Sequence, residues 1–125
     1  MKILLSIKPE YVNRIFNGEK KFEYRRNIFK NKYVDTVVVY ATKPIGMVVG
    51  EFKIGDILVD SPELLWNKTK DVAGIDEEAY RCYFKNKDKG FAIEISSVLR
   101  YDQAICLSEL NPKIKTAPQS FIYLN

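Results

Sequence analysis

The chain has 125 residues, 46% of them hydrophobic, which fits one domain over residues 1–125 with a core that needs no metal or disulfide to fold. It contains no histidine, which excludes Ser-His-Asp and Cys-His nucleophiles and the commonest zinc, copper and iron sites, so we expect no metal or cofactor. The formal charge of +4 is uneven: residues 1–50 hold 10 Lys/Arg against 4 Asp/Glu, and residues 51–125 hold 10 against 12, which indicates either a polyanion-binding face or a solubilising surface in the first part.

The first residues predict a strand and then a short helix. Ile3, Leu5 and Ile7 occupy alternate positions, which is typical of a half-buried strand. A proline then begins an amphipathic helix over residues 9–17, and Gly18 follows it. The opening apolar run is too short for a signal peptide, and no stretch approaches membrane-spanning length, so we expect a soluble cytoplasmic protein.

Three further strands are predicted in the middle of the chain. Residues 21–25 alternate aromatic and charged side chains, which indicates a strand with one strongly charged side. The β-branched run at residues 36–42 predicts a central strand. Residues 47–59 predict a long strand or a hairpin, interrupted at Gly55-Asp56.

The remaining chain predicts two helices and two strands. Ser61 and Asp76 are each placed to cap a short helix, the first running toward Gly74. Strands are predicted around residues 91–95 and 120–124. The order β-α-β-β-β-α-α-β-β, with short helices, favours an α+β fold built on a mixed β-barrel.

Two cysteines, Cys82 and Cys106, lie far apart and form no C-x-x-C pair. Neither a zinc cluster nor a disulfide framework is therefore indicated. We expect both to be half-buried packing residues.

The segment between the first helix and the second strand carries the most informative polar residues. Glu23 and Arg25 are two apart on a predicted strand and hence share a face, where a carboxylate fixes the orientation of a guanidinium. The competing interpretation is an exposed ion pair that contributes little to stability. If the first three strands are neighbours, their ends form one basic rim. The candidates for this rim and its pocket are Ser6, Lys8, Lys20, Glu23, Arg25, Arg26, Thr42 and Lys43.

The pattern Gly18-x-Lys20-x-x-Glu23-x-Arg25 resembles the signature of the ASCH family, whose members have a PUA-like fold. The preceding Leu5-to-Tyr11 segment and Ile15 are part of the same resemblance. Three later segments are similar to a prokaryotic and phage subgroup of the family: Tyr40-Ala41-Thr42-x-Pro44-x-Gly46, Val49-Gly50-Glu51-Phe52 and Ala117-Pro118-Gln119-Ser120-Phe121. The resemblance implies a PUA-like barrel with a cleft beside the first helix. It makes Lys20, Glu23 and Arg25 the pocket residues, with Ser6, Lys8 and Thr42 at the rim.

The leading functional hypothesis is a binding module for RNA or a nucleotide-like ligand. Lys8, Lys20, Arg25, Arg26 and Lys43 would meet phosphates, and Tyr24, Tyr40 or Tyr123 would offer a stacking face to an unpaired base. Gln119 and Ser120 are expected to tie the last strand to the barrel rather than to contact the ligand.

Two other classes stay open. The resemblance includes small amidohydrolases that deacylate N4-acetylcytidine with a lysine, a threonine and a glutamate; Lys20 matches the lysine, but Glu23 stands at the threonine position and the glutamate falls near Ala73-Gly74. A ribonuclease using Lys20 and Glu23 is also conceivable without histidine. The third class is a protein-interaction module, for which Trp66, Tyr80, Tyr83 and Phe84 are either core or contact surface.

Overall fold

The computed structural model describes residues 1–124 and has a mixed α+β architecture. The strands are β1 (Lys2–Ile7), β2 (Phe22–Arg25), β3 (Thr36–Ala41), β4 (Met47–Asp60), β5 (Gly90–Ile105) and β6 (Ile122–Leu124). The helices are α1 (Pro9–Phe16), α2 (Pro62–Thr69), α3 (Glu77–Tyr83) and α4 (Leu107–Leu110), with a 3₁₀ turn at Lys70–Val72. The predicted order of strands and of the first three helices is confirmed, whereas α4 and the 3₁₀ turn were not predicted.

All six strands form one sheet in the order β2-β5-β4-β3-β1-β6. The β1–β3 pair is parallel and the other pairs are antiparallel. The sheet curls until β2, at one edge, meets the chain just before β6, at the other: Arg25 Nη2 donates to the Ser120 carbonyl at 3.1 Å. This closure brings together segments that lie far apart in the strand order.

The predicted interruption near Gly55 is a bulge within a continuous strand. The pairing of β4 with β5 shifts between Ile54 and Ile57, and a Cβ on Gly55 would lie 2.2 Å from Glu94 Oε1. The long-strand alternative is therefore the right one, and a larger residue at this position would require the Glu94 side chain to move.

The expectation that the first strand is half-buried is wrong. Leu4 is as fully buried as its neighbours Ile3 and Leu5. Its side chain packs with Val38 and Ile114 on the second face of the sheet, which α4 and the chain after it cover. Alternation failed here because both faces of the strand are covered.

The two predicted helix caps are confirmed. Ser61 Oγ accepts from the Leu64 N–H at 3.3 Å, and Asp76 Oδ1 accepts from the Ala79 N–H at 2.9 Å. The capped helices α2 and α3 cover one end of the sheet with a buried aromatic cluster, so three of the four proposed contact-surface residues belong to the core. This cluster includes Tyr24, Trp66, Tyr80 and Phe84.

The expectation for one of the two cysteines is wrong. Cys82 is exposed, because α3 turns its Tyr80 and Phe84 side toward the core. Cys106 is partly buried, and its Sγ lies 3.0 Å from Glu109 Oε1 at the start of α4.

Candidate functional site

A pocket of about 300 Å³ lies where the end of β1, strand β2, the start of α3 and the chain before β6 converge. Its walls combine cations, one carboxylate, tyrosines and short apolar side chains. The lining residues are Ser6, Ile7, Lys8, Tyr11, Lys20, Glu23, Tyr24, Arg25, Arg26, Asn27, Ile75, Ala79, Tyr83, Gln119 and Ser120. Six of the eight predicted site residues are thereby brought to one cavity.

The helix-to-strand connection places Lys20 at the floor of this pocket. Gly18 has φ +88°, which allows the chain to leave α1 in a left-handed conformation. The Lys20 N–H then donates to the Arg14 carbonyl at 2.9 Å, and the Lys21 N–H donates to the Val72 carbonyl at 2.9 Å. The segment before α3 is thus fastened against the start of β2.

Lys20 is buried, with only 2% of its surface exposed. Its Nζ donates to the Ala73 carbonyl at 2.9 Å and lies 4.7 Å from the centre of the Tyr24 ring and 5.3 Å from that of the Tyr11 ring. Burial lowers the pKa of the Lys20 ammonium to about 8; the nearby Arg14 adds to this and Glu23 opposes it. The floor therefore holds an amine that changes charge close to neutral pH.

Gly74 makes the contact between Lys20 and its cover possible. This glycine has φ +63°, and a Cβ there would lie 2.3 Å from the Lys20 Cβ. Its carbonyl accepts from Arg14 Nη1 at 3.0 Å. The segment Val72–Gly74, which we call the cover, consequently holds Lys20 through the Ala73 carbonyl, and its other two carbonyls accept from Lys21 and Arg14. The resemblance places the amidohydrolases' glutamate here, but the cover brings no carboxylate to Lys20.

Glu23 and Arg25 point into the pocket from β2 as an ion pair. Arg25 Nη1 lies 3.3 Å from Glu23 Oε2, and the two side chains are 15% and 9% exposed. The charged side of β2 is therefore a pocket wall rather than a solvated surface. Because Ser120 accepts from the other end of the guanidinium, the pair is held in place from two directions.

Lys8 and Arg26 form the exposed rim of the pocket. Arg26 lies with its Cζ 4.8 Å from the centre of the Tyr83 ring, and the Tyr83 hydroxyl accepts from the Arg26 N–H at 3.2 Å. Tyr83 thus fixes the orientation of Arg26 while leaving its guanidinium open to solvent.

The tyrosines in the pocket differ from those that the sequence suggested. Tyr24 lines the pocket but is mostly core: its hydroxyl bonds to Thr69 at 2.7 Å, and burial raises its pKa to about 12. Neither Tyr40 nor Tyr123 is a lining residue. Tyr11 and Tyr83 take that place, and burial also raises the pKa of Tyr11. Tyr11 lies in the Leu5-to-Tyr11 segment that resembles the family, and this resemblance is the sequence feature that could have identified it as a site residue.

Thr42 and Lys43 do not line the pocket. The assumption that the first three strands are neighbours is wrong, because β5 and β4 separate β2 from β3. The Thr42 N–H donates to the Ile7 carbonyl at 3.0 Å, while the Thr42 carbonyl accepts from Ile45 and Gly46, so this turn closes on itself. Of the rim residues from β1, Ser6 donates to the Pro118 carbonyl at 2.8 Å and anchors the chain before β6.

Residues 1–124 contain no group of three or more His, Cys, Asp or Glu side chains arranged to hold a metal ion. Within the same residues, no helix is both long and apolar enough to cross a membrane.

The fold and pocket define a small α+β protein with a cavity lined by lysine, arginine and tyrosine side chains and one carboxylate. The family model described as "ASCH domain" matches residues 5–99, and the chain belongs to this family. In the crystal structure of ASCH from Zymomonas mobilis, the fold superposes with a TM-score of 0.90 at 27% identity, covering 99% of this chain and 87% of that one.

Two curated relatives extend the comparison. An ASCH domain-containing ribonuclease of Zymomonas mobilis is 30% identical over 89 residues, which is 71% of this chain and 60% of that protein. A Ureaplasma parvum protein named large ribosomal subunit protein uL22 is 29% identical over 123 residues, or 98% of this chain. The match spans only 39% of that protein's length.

Proposed function

We propose that the pocket binds single-stranded RNA, with phosphates at the rim and one unpaired nucleotide inside. The observation that carries this proposal is the convergence of the exposed cations Lys8 and Arg26 with the tyrosines Tyr11 and Tyr83 around one cavity. Cations neutralise backbone phosphates, and aromatic rings pack against unpaired bases. A cavity of about 300 Å³ is at the small end of ligand pockets, which suits one nucleotide better than a duplex.

The distribution of charge supports a polyanionic ligand. Both rim cations come from the first fifty residues, where positive charge is concentrated. Neither side chain forms an ion pair with an acidic residue in the part of the chain that the structure describes. RNA is the preferred polyanion because the Zymomonas mobilis relative is named a ribonuclease.

The test compares the rim with cations elsewhere. The double variant Lys8→Ala/Arg26→Ala removes the two rim charges, and Lys85→Ala/Lys115→Ala removes two exposed lysines outside the pocket. Binding to a mixed-sequence RNA nonamer is followed by fluorescence anisotropy across salt concentrations. For the rim variant we expect weaker binding and a log–log salt slope that is shallower by about 1.4, since each phosphate contact on a single strand contributes about 0.7. Equal losses in both variants would contradict the proposal.

RNA cleavage is the second candidate function, favoured by the unusual state of Lys20. With a pKa of about 8, about one-tenth of the Lys20 side chains are neutral at pH 7. A neutral amine can take the proton of a ribose 2′-hydroxyl as its oxygen attacks the adjacent phosphorus. The bond from phosphorus to the 5′-oxygen then breaks, and the 5′-oxygen takes a proton from water, giving a 2′,3′-cyclic phosphate and a 5′-hydroxyl. Arg25 and Arg26 stabilise the transition-state charge.

Product analysis decides between binding alone and cleavage. If cleavage occurs, its rate should increase up to about pH 8, where the amine loses its proton, and should be abolished in Lys20→Met. The variant Lys21→Met is the matched control, because Lys21 is the exposed neighbour of Lys20. Intact RNA after long incubation with wild-type protein would leave binding as the function.

A further inference from the structure

We infer that Glu23 accepts a hydrogen bond from the amino group of the base in the pocket, which therefore prefers cytosine, adenine or guanine to uracil. This inference rests on the proposed RNA binding and adds the orientation and the class of the bound base.

The carboxylate of Glu23 is mostly buried, and one of its two oxygens faces the pocket without a partner among residues 1–124. Its side chain is 9% exposed and lines the pocket. Oε2 is paired with Arg25, whereas no group in residues 1–124 donates a hydrogen bond to Oε1. Within the same residues, no buried side-chain oxygen or nitrogen lacks a hydrogen-bond partner. Oε1 is therefore open to the cavity and needs a donor when a ligand displaces water from it.

The charge of this oxygen fixes which end of a nucleotide can enter. An ionised carboxylate only accepts hydrogen bonds, and it repels a phosphate. Lys8 and Arg26 lie at the rim, where they attract one instead. The nucleotide consequently enters with its base toward Glu23 and its phosphates outside.

The neighbouring guanidinium completes a donor–acceptor pair for a base edge. Glu23 offers Oε1 as an acceptor. Arg25, whose Nη1 lies 3.3 Å from the other oxygen, Oε2, offers as donors the N–H groups that it does not use toward Oε2 and the Ser120 carbonyl. A cytosine or adenine edge presents an amino donor beside a ring-nitrogen acceptor, and guanine also carries an amino donor. Uracil has a carbonyl where cytosine has its amine, so its oxygen would face the carboxylate. Carboxylates pair with the cytosine amine in base readout for this reason.

The test varies one functional group of the ligand. Uridine nonamers carry at the central position cytidine, uridine or the pyrimidin-2-one riboside, which is cytidine without its amino group and without added bulk. For the wild-type protein we expect the cytidine oligomer to bind about tenfold more tightly than the other two, as for one hydrogen bond to a charged group. Equal affinity for all three would overturn the inference, and no substitution that endangers folding is needed for this comparison.

The protein side is tested with an isosteric change. In Glu23→Gln the side-chain amide can both donate and accept, so the advantage of cytidine over uridine should fall to about twofold or less. The control Glu78→Gln changes an exposed carboxylate outside the pocket and should keep the preference. A tenfold preference that persists in Glu23→Gln would also overturn the inference.

The same titrations separate this inference from the proposed function. If the three oligomers bind equally well but weaken with salt and with loss of Lys8 and Arg26, RNA binding stands and base reading by Glu23 fails. If none of the three binds, both fail together.

Discussion

The floor and the rim of the pocket are held in place by different means. At the floor, Lys20 donates to the carbonyl of Ala73, which lies 53 residues away in the cover. In the adjoining wall, Glu23 is paired with Arg25. At the rim, Lys8 is exposed and Arg26 is oriented by Tyr83. We therefore expect a substitution at the floor to change the stability of the folded protein as well as any ligand contact, and one at the rim to change mainly the ligand contact.

The largest expected effect comes from disturbing the cover. Gly74→Ala should lower the free energy of unfolding by about 3 kcal/mol, because it adds a left-handed residue cost of about 1–2 kcal/mol to overpacking of about 1–3 kcal/mol against Lys20. The added Cβ would lie 2.3 Å from the Lys20 Cβ. Urea unfolding measures this change.

Gly18→Ala is the matched control for Gly74→Ala. Gly18 also has a positive φ, but the nearest atom to an added Cβ is Lys21 Nζ at 3.9 Å. Only the backbone cost of about 1 kcal/mol is then expected. If the two variants lost the same free energy of unfolding, Gly74 would not be in close contact with Lys20.

The next effect is a pH dependence of stability that arises from Lys20 at the floor. The pKa of Lys20, about 8 in the folded protein, lies below the ordinary lysine value of 10.5. Between these values the folded protein has released this proton while the unfolded chain keeps it, so stability rises with pH. Relative to Lys20→Met, wild-type stability should increase by about 2 kcal/mol from pH 7 to pH 9.5.

Urea titrations at several pH values measure this difference, stopping at pH 9.5 because tyrosines of the unfolded chain ionise above it. The control Lys21→Met should follow the wild-type curve, since Lys21 is exposed. Parallel curves for wild type and Lys20→Met would show that folding does not lower the pKa of Lys20.

The smallest effect is expected at the rim. Lys8→Ala should change the free energy of unfolding by less than about 0.5 kcal/mol, because exposed side chains without fixed partners contribute little to stability. Its RNA salt slope should nevertheless fall by about 0.7. A loss of more than about 1 kcal/mol would contradict the expectation that rim residues contribute little to stability.

Much of the local structure was predictable. The turn at Gly18, the caps at Ser61 and Asp76, and the strand order along the chain each depend on residues within a few positions of one another. The short helix α4 was missed because four residues carry too little periodicity to be recognised.

The candidate site was only partly predictable. The spacing of Glu23 and Arg25 on one strand correctly placed them on a common wall. The inclusion of Lys43 relied on β2 lying beside β3, and the order of strands in a sheet cannot be read from the strands themselves. Tyr83 was considered for a different surface because nothing local to α3 indicates that it contacts Arg26, the residue after β2.

The six strands, the first three helices, their order along the chain and the family motif could be read from the residues alone, because hydrophobic periodicity, caps and turn residues act over a few positions. Tertiary structure alone decided that Lys20 is buried beneath Ala73 and Gly74, that Glu23 keeps one oxygen open, and that Thr42 and Lys43 lie outside the pocket. Those outcomes depend on contacts between segments tens of residues apart, and it is the curling of the sheet and the packing of the cover that bring such segments together.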